Sequence, residues 1–316
     1  MTQPRASVVA PISMSHEGSV RDGADAPPCT APLAEIRRPR FELPSDACDC
    51  HLHILGPATD FPYVQERVYT PPDCLLPDYD RVRDYLGATR CVLVQPSVYG
   101  HDNRVLLAAL QAVGERARGV VVLRGDEATS ELARMHSLGV RGARLNLVDL
   151  QTPCPRLPQE RMSRLAEMIR PLGWHLELLM HVDQYPDMAS VLGDLGVPLV
   201  FGHMGYLSRN VADEQHPGMQ AMLDLARAQL GWIKVTAPYR LADPPNYARA
   251  ARIARWLAAV CPDQLVWGSD WPHVMVRTAM PHDADLLDQV AEWIPDREHQ
   301  VALFSTNARR LYGWPP

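Results

Sequence analysis

From residue 46 onward the chain repeats one unit, a short apolar stretch, a polar turn and an amphipathic stretch, and it does so eight times. The apolar stretches are "ACDCHLHIL" (47–55), "TRCVLVQPS" (89–97), "ARGVVVLR" (117–124), "VRGARLNLV" (140–148), "WHLELLMHV" (174–182), "VPLVFGHMG" (197–205), "WIKVTAPYR" (232–240) and "LVWGSDWPH" (265–273). They are rich in Val, Leu and Ile, as strands covered on both faces are. Between them, "DNRVLLAALQAVGERA" spaces its apolar residues at three and four, and "SELARMHSLG" opens on a serine cap and stops at a glycine. "PQERMSRLAEMIRPLG", "PGMQAMLDLARAQLG" and "NYARAARIARWLAAVCP" follow the same helical pattern. Eight strands alternating with helices leave two α/β architectures, a (β/α)8 TIM barrel or a doubly wound sheet. The count of eight and the polar residues at strand ends favour the barrel. No Gly-rich fingerprint follows the first strand, as a dinucleotide-binding sheet would require.

Residues 45–316 are therefore expected to form one barrel, and residues 1–44 an N-terminal arm, flexible or docked on the barrel or on a neighbouring subunit of a homo-oligomer. The arm is rich in Pro, Ala, Ser and charge and lacks the apolar core of a signal peptide. Arg37 and Arg38 in "RRPR" precede "FELPSD" rather than an apolar segment. A net charge of -6 argues against a nucleic-acid partner, which needs a basic surface. No stretch approaches the roughly 18 uninterrupted apolar residues of a membrane span. Seven cysteines without a C-x-x-C pair point to a reducing compartment, the cytoplasm.

"DACDCHLHILGP" (46–57) crowds thiols, imidazoles and carboxylates into the first strand. Side chains alternate along a strand, so Asp49, His51 and His53 are expected on one face and Cys48, Cys50, Leu52 and Ile54 on the other. The first set is polar and assigned to the barrel interior. The second is assigned to packing under the outer helices. Two histidines at i, i+2 put both imidazoles on one side, spaced to hold one cation. By itself the pair is a weak signal; recurrence at other strand ends strengthens it. His181 ends the fifth strand, sharing a face with Glu177 and Leu179. His203 ends the sixth, sharing a face with Phe201, and Asp270 ends the eighth. All converge on the mouth where such barrels carry their chemistry.

"DCHLHILGP", "FGHMG" and "WGSDWPH" resemble the signature segments of the amidohydrolase superfamily, and "HILGPATDFPYVQERVYTPPD" resembles its lactonase branch, from about residue 40 to "NARRLYGW". The resemblance implies a divalent metal, zinc, held by His51, His53, His181 and Asp270, although one enzyme of the branch works without added metal. It implies that His203 polarises the substrate carbonyl and that Asp270 moves the proton of the attacking water. It further implies that Arg144 and Arg240 grip an anionic group, with Tyr69 and Ser97 touching substrate. Two positions depart from the branch: Leu150 and Leu179 stand where it has an arginine and a tyrosine. The expected activity is hydrolysis of a small anionic lactone, carboxylated or sulfonated, in aromatic-compound or sugar-acid breakdown. The alternatives on the same barrel are a metal-dependent aromatic-acid decarboxylase and a lactone isomerase.

Overall fold

The computed structural model of the chain describes residues 26–35, 37–150, 154–211 and 215–315. Eight apolar stretches become eight parallel strands in sequential order: β1 (Cys48–Leu52), β2 (Arg90–Val94), β3 (Ala117–Val121), β4 (Val140–Asn146), β5 (His175–Leu179), β6 (Leu199–Phe201), β7 (Gly231–Val235) and β8 (Leu265–Trp267). A bridge between Leu52 and Trp271 closes β1 onto the segment after β8, through His53 N–H to Trp271 O (2.9 Å) and Asp270 N–H to His51 O (2.8 Å). The result is the expected (β/α)8 barrel. Each strand is shorter than the apolar stretch that announced it, because the chain leaves the sheet at the mouth and turns there. The helix expected to open on Ser130 begins instead at Thr129, with Ala128 at its cap position.

The strands' outward residues, among them Leu93, Leu145, Leu178, Phe201 and Ile233, pack with the helices into the main core. The inward residues Val92, Val94, Val120, Val200 and Val266 form a second cluster, plugged by Tyr312 and Trp314 from the C-terminus. Cys48 and Cys50 belong to that inner cluster, not to the outer layer assigned from parity. Asp49 points outward, where Tyr79 and Ser269 bind its carboxylate. The reason is a register shift: Asp49 pairs with Cys91 but Leu52 with Leu93, so β1 carries one extra residue. A β-bulge of this kind reverses the alternation. Because of it, two thiols face inward below, and His51 and His53 still face inward above.

Residues 26–35 and 37–44 run along the barrel. Cys29 N–H donates to Thr70 O and Thr70 N–H to Pro27 O, and the carboxylate of Asp288 on the helix Asp283–Trp293 accepts from Arg40 N, Arg40 Nε and Phe41 N. Arg37 pairs with Asp285 on the same helix. The rest of the arm, residues 1–25, lies outside the described residues. No described helix is long and apolar enough to cross a membrane.

Candidate active site

His51, His53, His203 and Asp270 meet at the C-terminal mouth of the barrel, each fully or almost fully buried. Asp270 Oδ1 is the centre, with His51 Nε2 at 3.4 Å, His53 Nε2 at 3.9 Å and His203 Nε2 at 4.0 Å. Three of them come from irregular backbone just past a strand. His203 and Asp270 hold left-handed φ of 50° and 63°, which turns them inward, while Phe201, expected to share the face of His203, packs outward. Gly268 admits β1: a Cβ there would stand 2.6 Å from His51 N.

Asp270's other oxygen, Oδ2, accepts from Tyr239 Oη at 2.6 Å. Tyr239 Oη lies 3.1 Å from His273 Nδ1, and His273 Nε2 lies 3.0 Å from Asp283 Oδ1. Burial disfavours the charged form of His273, but the charge and hydrogen bond of Asp283 more than offset this and raise its pKa. Its Nδ1–H is then available to donate to the Tyr239 oxygen, leaving the phenol hydrogen for Asp270. Burial also opposes ionisation of Asp270; nearby His203, the Arg240 guanidinium, His53 and the Tyr239 hydroxyl outweigh it and hold the pKa at about 2. The imidazoles are neutral for the opposite reason. Desolvation pulls His53 down to about 4 and His203 to about 3, and lowers His51 well below its ordinary value.

Hydrogen-bond partners fix the tautomers. His53 Nδ1 faces the Val94 carbonyl at 2.8 Å, so it must carry the hydrogen and Nε2 is a bare acceptor. His203 Nδ1 lies 2.6 Å from Thr236 Oγ1, which can accept or donate. His51 Nδ1 lies 3.1 Å from Lys234 Nζ, which is also 2.6 Å from Glu177 Oε2 in a fully buried pair. With Lys234 donating, His51 Nε2 carries hydrogen toward Asp270. Only with the hydrogen on Nδ1, aimed at Glu177 Oε1 3.5 Å away, is Nε2 free to ligate.

Among the described residues, ligand atoms of His51, His203 and Asp270 lie within 4.8 Å of one another. His51 Nε2 and Asp270 Oδ1 are both buried without a hydrogen-bond partner. Neutral imidazoles around an ionised carboxylate are the donor set of a divalent cation such as zinc, so these residues fit one. His181 is not brought into the group. Its ring, partly buried beyond the end of β5, sits 4.5 Å from the Tyr206 ring with Nδ1 2.6 Å from Tyr206 O; the same tyrosine ring lies 5.6 Å from His203.

Tyr69, Arg144 and Arg240 line the small cavity in front of Asp270, together with Asp149, Leu179 and Tyr206. Arg144 Nη1 donates to Gln95 O (2.8 Å), and Arg240 Nη2 donates to Val274 O (2.8 Å) while lying 3.6 Å from Asp270 Oδ2. Ser97 stands behind this wall, its Oγ 3.3 Å from Asp149 Oδ2. Sequence reasoning gave no role to Lys234, Tyr239, Thr236 or Asp149. The signal for Lys234 was present, as a lone cation in an apolar strand; Tyr239 is one aromatic among many until its hydroxyl is placed.

The amidohydrolase family model matches residues 48–314. The 2-pyrone-4,6-dicarboxylate hydrolase of Comamonas testosteroni is 33% identical over 294 residues, 89% of this chain and 94% of that protein. The 4-sulfomuconolactone hydrolase of Rhizobium radiobacter is 33% identical over 295 residues, 92% and 98% of the two chains. A solved structure from Pseudomonas putida, a candidate 2-pyrone-4,6-dicarboxylic acid hydrolase, superposes with a TM-score of 0.74 at 34% identity, covering 87% of this chain and all of the other (100%).

Proposed function

Because this chain belongs to the amidohydrolase family, we propose that it is a hydrolase that opens the ring of an anionic lactone. The observation that carries the reading is Asp270 Oδ1, an ionised, buried and unpartnered oxygen ringed by neutral imidazoles in a cavity about the size of one ordered water (≈ 20 Å³). A water there can donate one hydrogen to Asp270 Oδ1 and the other to the bare His53 Nε2, leaving a lone pair for the ester carbonyl carbon. Asp270 takes the proton as the new C–O bond forms. His203, with Thr236 donating to Nδ1, presents Nε2–H to the carbonyl oxygen as negative charge develops there. When the ring C–O bond breaks, Asp270 returns the proton to the leaving oxygen, and the product is a hydroxy acid that releases one proton at neutral pH. Tyr239 keeps Oδ2 occupied, so that Oδ1 alone does this work.

In the alternative tautomers, with hydrogen on Nδ1 of His51 and of His203, the bare Nε2 atoms of both rings and Asp270, with His53 beside them, would hold a divalent cation, zinc in our reading, which when bound lowers the pKa of its water to about 7 and polarises the carbonyl in place of His203. Arg144 and Tyr69 orient the ring. Seven unpaired cysteines, five of them buried, support a reducing compartment such as the cytoplasm.

The test is proton release and ring opening on a panel of carboxylated and sulfonated lactones, with and without chelator, together with metal analysis. Asp270→Asn should lower kcat by about a thousandfold while the fold persists. Turnover with release of CO₂ instead of ring opening would sink the lactonase reading in favour of a decarboxylase.

A further inference from the structure

The cavity at Asp270, at about 20 Å³, holds a water but not a lactone. Beside it opens a chamber of about 420 Å³, within the size range of small-molecule sites. Tyr206, Arg240 and Met275 line both and form the partition between them. Two of these hold left-handed backbone, φ 47° at Tyr206 and 60° at Met275, so two of the three partition residues sit on strained backbone. A substrate that seats its ester edge against Asp270, Arg144 and Tyr69 extends the rest of its bulk past this partition into the outer chamber.

Charge divides the two spaces differently. In the inner cavity two guanidiniums, Arg144 and Arg240, face two carboxylates, Asp149 and Asp270, and the balance is even. In the outer chamber Arg209, Arg240 and Arg277 face the single carboxylate of Asp243. Arg209 is already occupied, bonded to Asp243 Oδ1 (2.7 Å) and Tyr239 O (2.6 Å). Arg277 is exposed and pairs with no carboxylate among the described residues. His181, its Nδ1 bonded to Tyr206 O, lines the same chamber. Leu207 and Val276 add apolar wall to the chamber beside Met275 of the partition.

We propose that this outer chamber is a binding subsite for a substituent of the substrate, an anionic group held away from the lactone ring by an apolar spacer, with Arg277 and His181 as its recognition groups. The inference rests on the lactone-hydrolase reading and narrows its substrate class: the anion is recognised outside the catalytic cavity, where positive charge is in excess. It also gives a role to His181, which lines the outer chamber and not the inner cavity.

The experiment uses matched compounds on one ring: a lactone with a carboxylate on an alkyl spacer, its neutral primary amide, and the lactam analogue of each. Turnover is measured on the lactones, and equilibrium binding by calorimetry on the lactams, with the wild type, Arg277→Ala, Arg277→Lys and His181→Ala. The wild type should prefer the anion over the amide by roughly tenfold or more in kcat/KM and in binding. Arg277→Ala should collapse that preference through KM, His181→Ala should reduce it, and Arg277→Lys should restore part of it. A wild type that treats anion and amide within about twofold in both measurements overturns the proposal, as does a preference that survives both alanine variants. If no lactone is turned over, the hydrolase reading falls on its own, and the lactam titrations still decide whether the subsite exists.

Discussion

Asp270 shows how much of a residue's chemistry is decided by its neighbours. The carboxylate was legible in "WGSDWPH", and so was its company, since three histidines at strand ends announce a polar mouth in an otherwise apolar barrel. The division of labour between its two oxygens was not legible. Tyr239, thirty-one positions away in sequence, occupies Oδ2 and is itself held by His273 and Asp283. Tyr239→Phe removes one charge-assisted hydrogen bond and frees the carboxylate to rotate. We expect kcat to fall about tenfold with KM little changed, and the acid limb of the pH–rate profile to move upward as Asp270 loses a stabilising donor. An unchanged profile would mean that the phenol only fills space. His181 makes the opposite point. Its type and position matched a ligand, but β5 ends two residues before it, and past a strand end side-chain parity no longer predicts direction.

At the level of elements, β1 carries the lesson. Strict alternation placed the histidines inward for the wrong reason, because it also placed Asp49 inward and the two cysteines outward. The bulge between Asp49 and Leu52 leaves no mark in composition; it follows from how β1 must be seated against both β2 and the segment after β8. Gly268 is part of that seating. A methyl group there would meet His51 N at 2.6 Å and His51 Cβ at 2.7 Å, backbone-side contacts with little freedom to yield. Gly268→Ala should displace β1 at His51, costing about 1–3 kcal/mol of stability by overpacking and at least tenfold in kcat. Denaturant melts and steady-state kinetics on the same preparation check both halves. A fully active variant would show that β1 shifts without disturbing the site.

Across the whole molecule, the barrel buries four neutral histidines whose folded pKa values are depressed from 6.5: His53 to about 4, His175 and His203 to about 3, and His51 well below its ordinary value, each chiefly by burial. In the unfolded chain these groups take up protons near pH 6.5; in the folded chain they resist until pH 4 or below. Between those values the unfolded state binds more protons, so stability is fully present above about pH 6.5 and is lost as pH falls toward 3–4. The melting temperature should therefore drop across that window. His175 offers a clean control, since both of its ring nitrogens lack hydrogen-bond partners and it lies at the start of β5, far along the strand from the mouth. His175→Leu should show a shallower acid decline than the wild type while its melting temperature at pH 7.5 stays close. Parallel declines would place the cost elsewhere.

The local pattern of the sequence determined the eight strands, the helices between them, the barrel and the identity of the polar groups at its mouth, because hydrophobic periodicity and strand-end chemistry act over a few residues and survive without the fold. The bulge that reverses β1, the Lys234–Glu177 pair under His51, the phenol on Asp270 and the partition that sets His181 apart were decided only in three dimensions. Each depends on contacts between segments from twenty-five to more than two hundred residues apart, and no local pattern encodes which of two neighbouring faces those segments will meet.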